Sequence, residues 1–201
     1  MSELHLAGVV SLDPSMDGLL PDWFDPGRDD NRLRLHIGGK VRRPGWKILD
    51  VQPGDIVDFV GNCRDLSQFA SGSVSAIYAS HVLEHLGFRD ELPHALAEIR
   101  RTLIQDGPFL MSVPDLEILS RLFLDSRRTA NERMMAMMMM FGGQADEHDF
   151  HRVGLYREFL AKLFGGAGFR SVKQVPRFGL FPDSSDSLLC GEYISLNLVV
   201  S

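Results

Sequence analysis

The sequence has few cysteines, no long apolar run and no excess of positive charge. Its two cysteines, Cys63 and Cys190, lie far apart, which excludes a disulfide framework and fits a reducing cytoplasm. No apolar run approaches the about 18 residues of a membrane span, and the N-terminus lacks the basic region of a secretory signal. With 21 basic and 27 acidic residues the formal charge is −6, so the chain lacks the positive field that gathers nucleic acid. We expect a cytoplasmic protein that binds neither nucleic acid nor a membrane.

The composition is that of a globular chain, because 44% of its 201 residues are apolar and 24% are charged. Residues 1–31 differ from the rest, since turn-forming pairs such as Asp13–Pro14 and Asp17–Gly18 follow one another quickly. We interpret residues 1–31 as an N-terminal arm and residues 32–201 as one domain. The candidate anchors of the arm are Leu19, Leu20, Trp23 and Phe24.

Apolar runs typical of strands and helices alternate along residues 33–200. The strand-like runs are 33–38, 46–51, 56–60, 74–79, 109–113, 171–175 and 193–200. The helix-like segments are 81–86, 90–103, 116–124, 131–141 and 156–164. This alternation predicts an α/β sheet with helices on both faces, whose ligands bind beyond the carboxyl ends of the strands.

The connection between the first two strands is unusually short. Only residues 39–45 lie there, although a parallel crossover normally needs about a dozen residues. Either these strands are not neighbours or another segment covers that face of the sheet. The N-terminal arm is our candidate for the cover.

Glycines and carboxylates follow the predicted strands where a ligand would bind. Gly38 and Gly39 end the first strand, where they let a ligand approach the backbone closely. Asp50 ends the second strand, where a carboxylate can accept from both hydroxyls of a ribose. Asp65 can accept from the amine of an adenine while the Leu66 N–H donates to its ring. Taken alone, a surface Asp50 and a helix-capping Asp65 explain these residues at least as well.

Two further clusters carry side chains that can move a proton or hold a metal. His81, Glu84 and His85 match the HxxEH pattern of zinc peptidases, in which two histidines on one helix face bind zinc and the acid acts as base. Residues 142–152 begin with two glycines and contain His148 and His151, whose imidazoles suit removal of a proton from a hydroxyl. A solvated loop explains the second cluster equally well.

Together these segments resemble the class I S-adenosylmethionine-dependent methyltransferases, in particular the small type 11 group. The resemblance extends from about residue 33 to residue 169. Its motifs are Gly45–Trp46 before Asp50, then 72–77 (GSVSAI), 79–86 (ASHVLEHL), 96–103 (LAEIRRTL), Gly107, 112–115 (SVPD) and Gly168–Phe169. It implies a Rossmann-like three-layer sheet of about seven strands, mostly parallel with an antiparallel last strand. It also implies a helical or loop insertion at about 116–155 over the acceptor site.

The resemblance implies a site for S-adenosylmethionine at the strand ends. The cofactor-binding residues that it implies are His36, Gly38, Gly39, Asp50, Asp65, Leu66, Ser80 and His81. The first three would lie at the methionine part, Asp50 at the ribose, the next two at the adenine and the last two near the sulfonium and the acceptor. The family usually has an acidic residue where this chain has His36 and a fuller glycine run than Gly38–Gly39.

We therefore expect methyl transfer from S-adenosylmethionine to a small-molecule or carbohydrate-like acceptor, with S-adenosylhomocysteine as product and without a metal. His81 or His151 would act as the base if the acceptor is a hydroxyl or a protonated amine. One alternative is a methyltransferase-like binding module that has lost catalysis, and another is a zinc hydrolase built on His81, Glu84 and His85. Six of the seven residues at 134–140 are Met, which favours a helix that packs on the domain, lines an apolar acceptor pocket or forms a homodimer face.

Overall fold

One sheet forms the centre of the computed structural model, which describes residues 11–13, 32–145 and 149–201. The strands are β1 (Ser11–Asp13), β2 (Leu33–Ile37), β3 (Lys47–Asp50), β4 (Phe59–Val60), β5 (Val74–Ser80), β6 (Phe109–Pro114), β7 (Ser171–Val175), β8 (Leu188–Leu189), β9 (Glu192–Tyr193) and β10 (Ser195–Val200). Strands β8 and β9 form a separate antiparallel hairpin. The other eight lie side by side in the order β1-β7-β10-β6-β5-β2-β3-β4.

Strand β10 runs antiparallel to both of its neighbours, β6 and β7. The remaining neighbours in the sheet pair in parallel. This arrangement confirms the predicted α/β fold, mostly parallel with an antiparallel last strand. Strand β1 adds an eighth, edge strand beside β7.

Four helices follow the predicted pattern closely. They are α1 (Glu91–Thr102), α2 (Leu116–Leu124), α3 (Ala130–Phe141) and α4 (Arg157–Gly166). The predicted stripe of α1 is fully buried at Leu92, Leu96 and Ile99, where it contributes with α4 to the main apolar core on one face of the sheet. Asp115 precedes α2 and caps it, because its carboxylate accepts from backbone N–H groups in the first turn of the helix. No helix within residues 32–145 or 149–201 is long and apolar enough to cross a membrane.

The helix predicted at 81–86 is wrong. Strand β5 continues to Ser80, and His81 then takes a left-handed backbone conformation with φ of 53°, which stops regular structure. Only the three residues Leu83–His85 form a 3₁₀ turn. The two histidines of the HxxEH pattern therefore do not share one face of an α-helix.

The short connection joins two strands that are direct neighbours, because β2 pairs with β3 in parallel from Leu35 to Ile37. Residues 176–187, which we call the covering segment, fill the face that a crossover helix would normally cover. Phe178, Leu180 and Phe181 of this segment are buried against side chains such as Trp46 and Tyr78. The cover therefore comes from the far end of the chain.

The N-terminal arm that we expected to cover this face lies elsewhere in its one described part. Strand β1 (Ser11–Asp13) sits at the opposite edge of the sheet from β2 and β3. The arm's predicted anchors at positions 19, 20, 23 and 24 lie outside the described residues.

The methionine-rich helix α3 is much less buried than its composition suggests. Only Ala136 is fully buried, against α2 residues such as Leu119 and Leu122. Met134, Met135, Met137, Met138 and Met139 are 37–50% exposed. Of the three predicted roles, packing on the domain accounts for one narrow face of α3 only, within the described part of this chain.

Candidate functional site

A cavity of about 300 Å³ opens between the carboxyl ends of β2 and β5. The chain places β3 and β4 on one side of β2, and β5 and β6 on the other, so the strand order reverses at this position. In open α/β sheets, ligands bind at such a reversal. The residues lining the cavity are His36, Gly38, Lys40, Val41, Ser80, His81, Phe181, Pro182, Asp183 and Ser184.

The turn after β2 needs its glycines. Gly38 has a φ of 73°, and a Cβ there would lie 2.7 Å from Val82 Cγ2. A Cβ on Gly39 would lie 2.7 Å from Nδ1 of His36. Both side chains would clash, so the pair Gly38–Gly39 keeps the backbone close to the cavity.

His36 forms part of the cavity wall and is uncharged at neutral pH. Its ring stacks on Phe181 with centroids 4.0 Å apart, and only 4% of the residue is exposed. This burial lowers the pKa of His36 to about 4, with a smaller lowering by Lys40 and a partial compensation by Asp183. Its Nδ1 atom has no hydrogen-bond partner within the described ranges of the chain. His36 is therefore a neutral polar group that can bond to a ligand.

Asp50 is a buried carboxylate whose charge is balanced. Lys40 Nζ lies 2.7 Å from Oδ2, and the Gln52 N–H donates to Oδ1 at 2.9 Å. Asp50 is 8% exposed, whereas the Lys40 side chain is 76% exposed and can move away. Each carboxylate oxygen has two acceptor positions, so each can still accept one hydrogen bond. Two hydroxyls of a ribose fit that capacity.

Asp65 and Leu66 do not line the cavity. Asp65 is exposed, and its Oδ1 accepts from the Ser67 N–H at 3.0 Å, which stabilises a local turn. The Leu66 N–H, which we expected to donate to an adenine, already donates to Glu98 Oε2 at 3.0 Å. The capping interpretation of Asp65 therefore describes this structure better than the adenine contact, because a surface turn follows β4 at that point.

Asn62 is a candidate that sequence reasoning missed. It follows β4 and Gly61 directly, at the carboxyl end of the strand beside Asp50. Its Oδ1 accepts from the backbone N–H and the side chain of Arg64, which leaves its amide group as a donor. The position immediately after a strand was the signal that could have found it.

His81 lines the cavity, and a hydrogen bond to Ser195 fixes the orientation of its ring. The Ser195 hydroxyl donates to the Ser184 carbonyl at 2.7 Å, so it can only accept from His81 Nε2 at 2.9 Å. We infer that Nε2 carries the ring proton and that Nδ1 is a free acceptor, 3.6 Å from Glu84 Oε1. Burial lowers the pKa of His81 to about 4, with a further lowering by His151. The ring is therefore neutral at pH 7.

The covering segment supplies the rest of the cavity wall. Asp183 accepts a hydrogen bond of 2.8 Å from the Tyr78 hydroxyl, which ties the segment to β5. Burial raises the pKa of Tyr78, so this hydroxyl stays protonated and donates. Phe181 and Ser184 were not predicted, because they lie at least 100 residues after the lining residues at the strand ends, the last of which is His81, and follow no strand-end motif.

A second cluster lies beside the cavity and contains Glu84, His85 and His151. Glu84 is 1% exposed, and neither carboxylate oxygen has a hydrogen-bond partner among the residues that the structure describes. This burial raises the pKa of Glu84 to about 8. His151 does not line the cavity, and His148 lies outside the described residues. The HxxEH pattern predicted Glu84 and His85 together with His81, whereas the cluster in the structure contains His151 as its third member.

Comparisons with known proteins agree with this fold. Residues 45–111 match a family model described as a methyltransferase domain. A S-adenosylmethionine-dependent methyltransferase from Archaeoglobus fulgidus has a similar structure, with 12% identity, a TM-score of 0.55 and coverage of 84% of this chain and 85% of that one. The trans-methyltransferase CalH is similar with 14% identity and a TM-score of 0.50, and the match covers 84% of this chain and 50% of CalH. A comparison with curated proteins found no match.

The shared sheet places this chain in the class I methyltransferase fold. The family match within it, at 45–111, confirms the resemblance to the S-adenosylmethionine-dependent methyltransferases.

Proposed function

We propose that this chain transfers the methyl group of S-adenosylmethionine to a small-molecule or carbohydrate-like acceptor. One observation carries the proposal. The cavity lies at the reversal of strand order, between the Gly38 turn and Ser80–His81. Its volume of about 300 Å³ falls within the range of small-molecule sites.

The cofactor S-adenosylmethionine fits the residues around the cavity. Gly38 and Gly39 leave room for its methionine part, and the neutral His36 offers a polar atom to the amine or carboxylate there. Asp50 would accept from the ribose hydroxyls while it keeps its contacts to Lys40 and Gln52. The CalH structure is a complex with S-adenosylhomocysteine, the product of such a transfer.

We assign the adenine end of the cofactor to the neighbourhood of Asn62. Asn62 follows the last residue of β4, Val60, by two positions, and Val60 pairs with Asp50 of β3, which would hold the ribose. Asp65 remains the rival position from the resemblance. Variants of these residues separate the two assignments.

The reaction itself is an in-line displacement at the sulfonium methyl group, and its leaving group is already good. The protein mainly supplies proximity and alignment. A hydroxyl acceptor also needs a base, and we assign this role to His81 rather than His151, because only His81 lines the cavity. Its Nδ1 lone pair would have to turn from Glu84 toward the acceptor.

A calorimetric titration with S-adenosylhomocysteine tests the cofactor site. We expect micromolar binding that Asp50→Ala weakens at least tenfold, or about 1.4 kcal/mol. Asp65→Ala, which removes an exposed carboxylate outside the cavity, should leave affinity within about twofold. An equal loss of affinity in both variants would favour Asp65 as the adenine contact. No binding at high ligand concentration would sink the proposal.

Turnover separates an enzyme from a binding module. Binding of S-adenosylhomocysteine without transfer of labelled methyl to any of a panel of small hydroxyl and amine acceptors would favour the binding module. With a hydroxyl acceptor, His81→Gln should lower kcat by a larger factor than it weakens S-adenosylhomocysteine binding. The zinc hydrolase on His81, Glu84 and His85 loses its basis, because those histidines do not share a helix face.

A further inference from the structure

Glu84 is a buried acid without a hydrogen-bond partner among the described residues. The residue is 1% exposed, and both of its oxygens lack a hydrogen bond from the described residues. Burying a carboxylate without a partner is costly, so such groups take a proton or bind a cation. The surroundings of Glu84 decide between these two outcomes.

Hydrogen bonds to backbone carbonyls fix the tautomers of the two histidines beside Glu84. His85 Nδ1 lies 3.1 Å from the Phe150 carbonyl oxygen, and His151 Nδ1 lies 3.0 Å from the carbonyl oxygen of Met139. A carbonyl only accepts, so each Nδ1 must donate and carry the ring proton. In a neutral ring, Nε2 is then the free acceptor. Burial lowers the pKa of His151, which keeps that ring neutral.

When Glu84 is ionised, its carboxylate and Nε2 of His151 offer each other only acceptor atoms. His151 Nε2 is 3.9 Å from Glu84 Oε1, which is too far for a hydrogen bond even if Glu84 carried a proton. One ligand atom from each of Glu84, His85 and His151 lies within 4.8 Å of the others. We propose that these three residues bind a divalent transition-metal ion, such as Zn²⁺, beside the cavity.

The ligand chemistry fits this class of ion. Two imidazole nitrogens and one carboxylate oxygen suit Zn²⁺ and its first-row neighbours, with one or more positions left for water. Tetrahedral zinc bonds of about 2.1 Å place ligand atoms about 3.4 Å apart, so the widest pair must approach by at most about 1.4 Å. The hydrogen bonds from Nδ1 to carbonyls are also the usual way in which proteins orient histidine ligands.

The backbone already holds the two halves of the site together. The N–H groups of Arg152 and Val153 donate to the carbonyl oxygen of Glu84 at 2.8 and 3.3 Å. The His151 N–H donates to the Phe141 carbonyl at 3.1 Å, at the end of α3. The loop residues 151–153 are thus fixed to the end of α3 and to the turn after β5 before any ion binds. The ion would join that loop to the wall of the cavity through Glu84, which faces His81.

This site is distinct from the HxxEH pattern and does not rest on methyl transfer. In the HxxEH pattern the ligands are His81 and His85 and the acid is a base. Here Glu84 is itself a ligand and His151 takes the place of His81, whose Nε2 is bonded to Ser195. His81 lies 3.6 Å from Glu84 Oε1 and would neighbour the ion without binding it.

Metal loading of the untagged, full-length protein tests the proposal. Protein stripped with a chelator is reloaded with Zn²⁺, and competition against a chromophoric chelator measures affinity and stoichiometry. We expect one equivalent of tightly bound Zn²⁺. Glu84→Gln, His85→Gln and His151→Gln should each weaken it at least about 100-fold, since loss of an outer-shell partner alone typically costs 10- to 100-fold.

Matched variants keep the result interpretable. His94→Gln removes an exposed histidine of α1 and should change Zn²⁺ affinity less than threefold, as should His81→Gln. Circular dichroism and S-adenosylhomocysteine binding report whether each variant is folded. Failure of folded wild-type protein to bind Zn²⁺, or binding that survives all three ligand variants, would overturn the proposal. Loss of Zn²⁺ with cofactor binding intact would support the metal site and leave the proposed function standing.

Discussion

The covering segment and helix α3 are both rich in large apolar side chains, but they differ sharply in burial. Phe178, Leu180 and Phe181 of the covering segment are 3–7% exposed. On α3, Met135 and Met138 are 49% and 41% exposed. The covering segment fills a face of the sheet that the short connection after β2 leaves without a helix. Helix α3 packs on α2 through a narrow stripe around Ala136.

The difference shows that apolar composition predicts a need for burial but not its location. The covering segment packs against a large apolar surface of the sheet, formed by residues such as Trp46 and Tyr78. It also has polar anchors, because Arg43 donates to the Leu180 carbonyl at 2.6 Å and Tyr78 donates to Asp183. The described residues offer α3 no equivalent surface. The two segments should therefore respond very differently to the same kind of substitution.

Phe181→Ala should give the largest loss of stability. Phe181 is 4% exposed and contacts His36, Trp46 and Tyr78 through its ring. Truncation of such a side chain removes its burial and leaves a cavity, so we expect a loss of about 4 kcal/mol in the free energy of unfolding. Urea unfolding measures it. The same truncation at Phe88, which is 47% exposed, should cost less than about 0.5 kcal/mol.

A loss below about 1 kcal/mol at Phe181 would mean that the covering segment is not packed in solution. The cavity would then lose one wall, and the affinity for S-adenosylhomocysteine should be insensitive to this residue. With the segment packed, the affinity should fall together with stability, because Phe181 also lines the cavity.

The covering segment excludes water from His36, and we expect the stability of the protein to depend on pH for this reason. The folded protein lowers the pKa of His36 from 6.5 to about 4, so between these values the unfolded chain binds a proton that the folded chain does not. Stability must therefore fall as the pH falls through this range. His36 alone contributes a loss of about 3 kcal/mol between pH 7.5 and pH 4.

His36→Gln removes this contribution, and urea unfolding at several pH values measures it. The variant should lose about 3 kcal/mol less than the wild type on acidification. His81 also has a lowered pKa, but it titrates in both proteins and cancels in the difference. Equal acid sensitivity of wild type and variant would show that His36 is hydrated, and hence that the cover is open. His94→Gln, at an exposed site, serves as the control.

Most of the fold could be predicted from the sequence because its signals are local. The run at 74–79 and the stripe through Leu92, Leu96 and Ile99 depend on spacing alone, and they became β5 and the buried face of α1. The helix at 81–86 could not be excluded in this way, since a strand that continues to Ser80 and a left-handed His81 leave no trace in apolar periodicity.

The candidate site was harder to predict, because its two walls come from distant parts of the chain. His36, Gly38 and His81 line the cavity at the strand ends where the motifs placed them, and their binding of a cofactor stays a prediction. Phe181 reaches the same cavity from a segment that sequence reasoning left unassigned. The meeting of His151 with Glu84 depends on the path of the 142–153 loop, which no residue spacing encodes.

The smallest effect is expected on α3, where the methionines already contact water. Truncation of Met135 and Met138 to Ala removes little buried surface from a monomer, and Ala favours a helix slightly more than Met. The double variant should therefore change the free energy of unfolding by less than about 0.5 kcal/mol at low protein concentration. Comparison with the loss of about 4 kcal/mol expected for Phe181→Ala would show how differently the two segments contribute to the free energy of unfolding.

The same double variant tests the homodimer that we predict through residues 134–140. In a dimer these methionines would be buried by the second copy, so their truncation would weaken association. Wild-type stability would then rise with protein concentration, because mass action favours the assembled state. Sedimentation of wild type and variant over a range of concentrations measures this directly. A wild-type chain that stays monomeric throughout, with stability independent of concentration, would leave α3 as an exposed helix and refute the dimer, since mass action allows no other outcome for a stabilising interface.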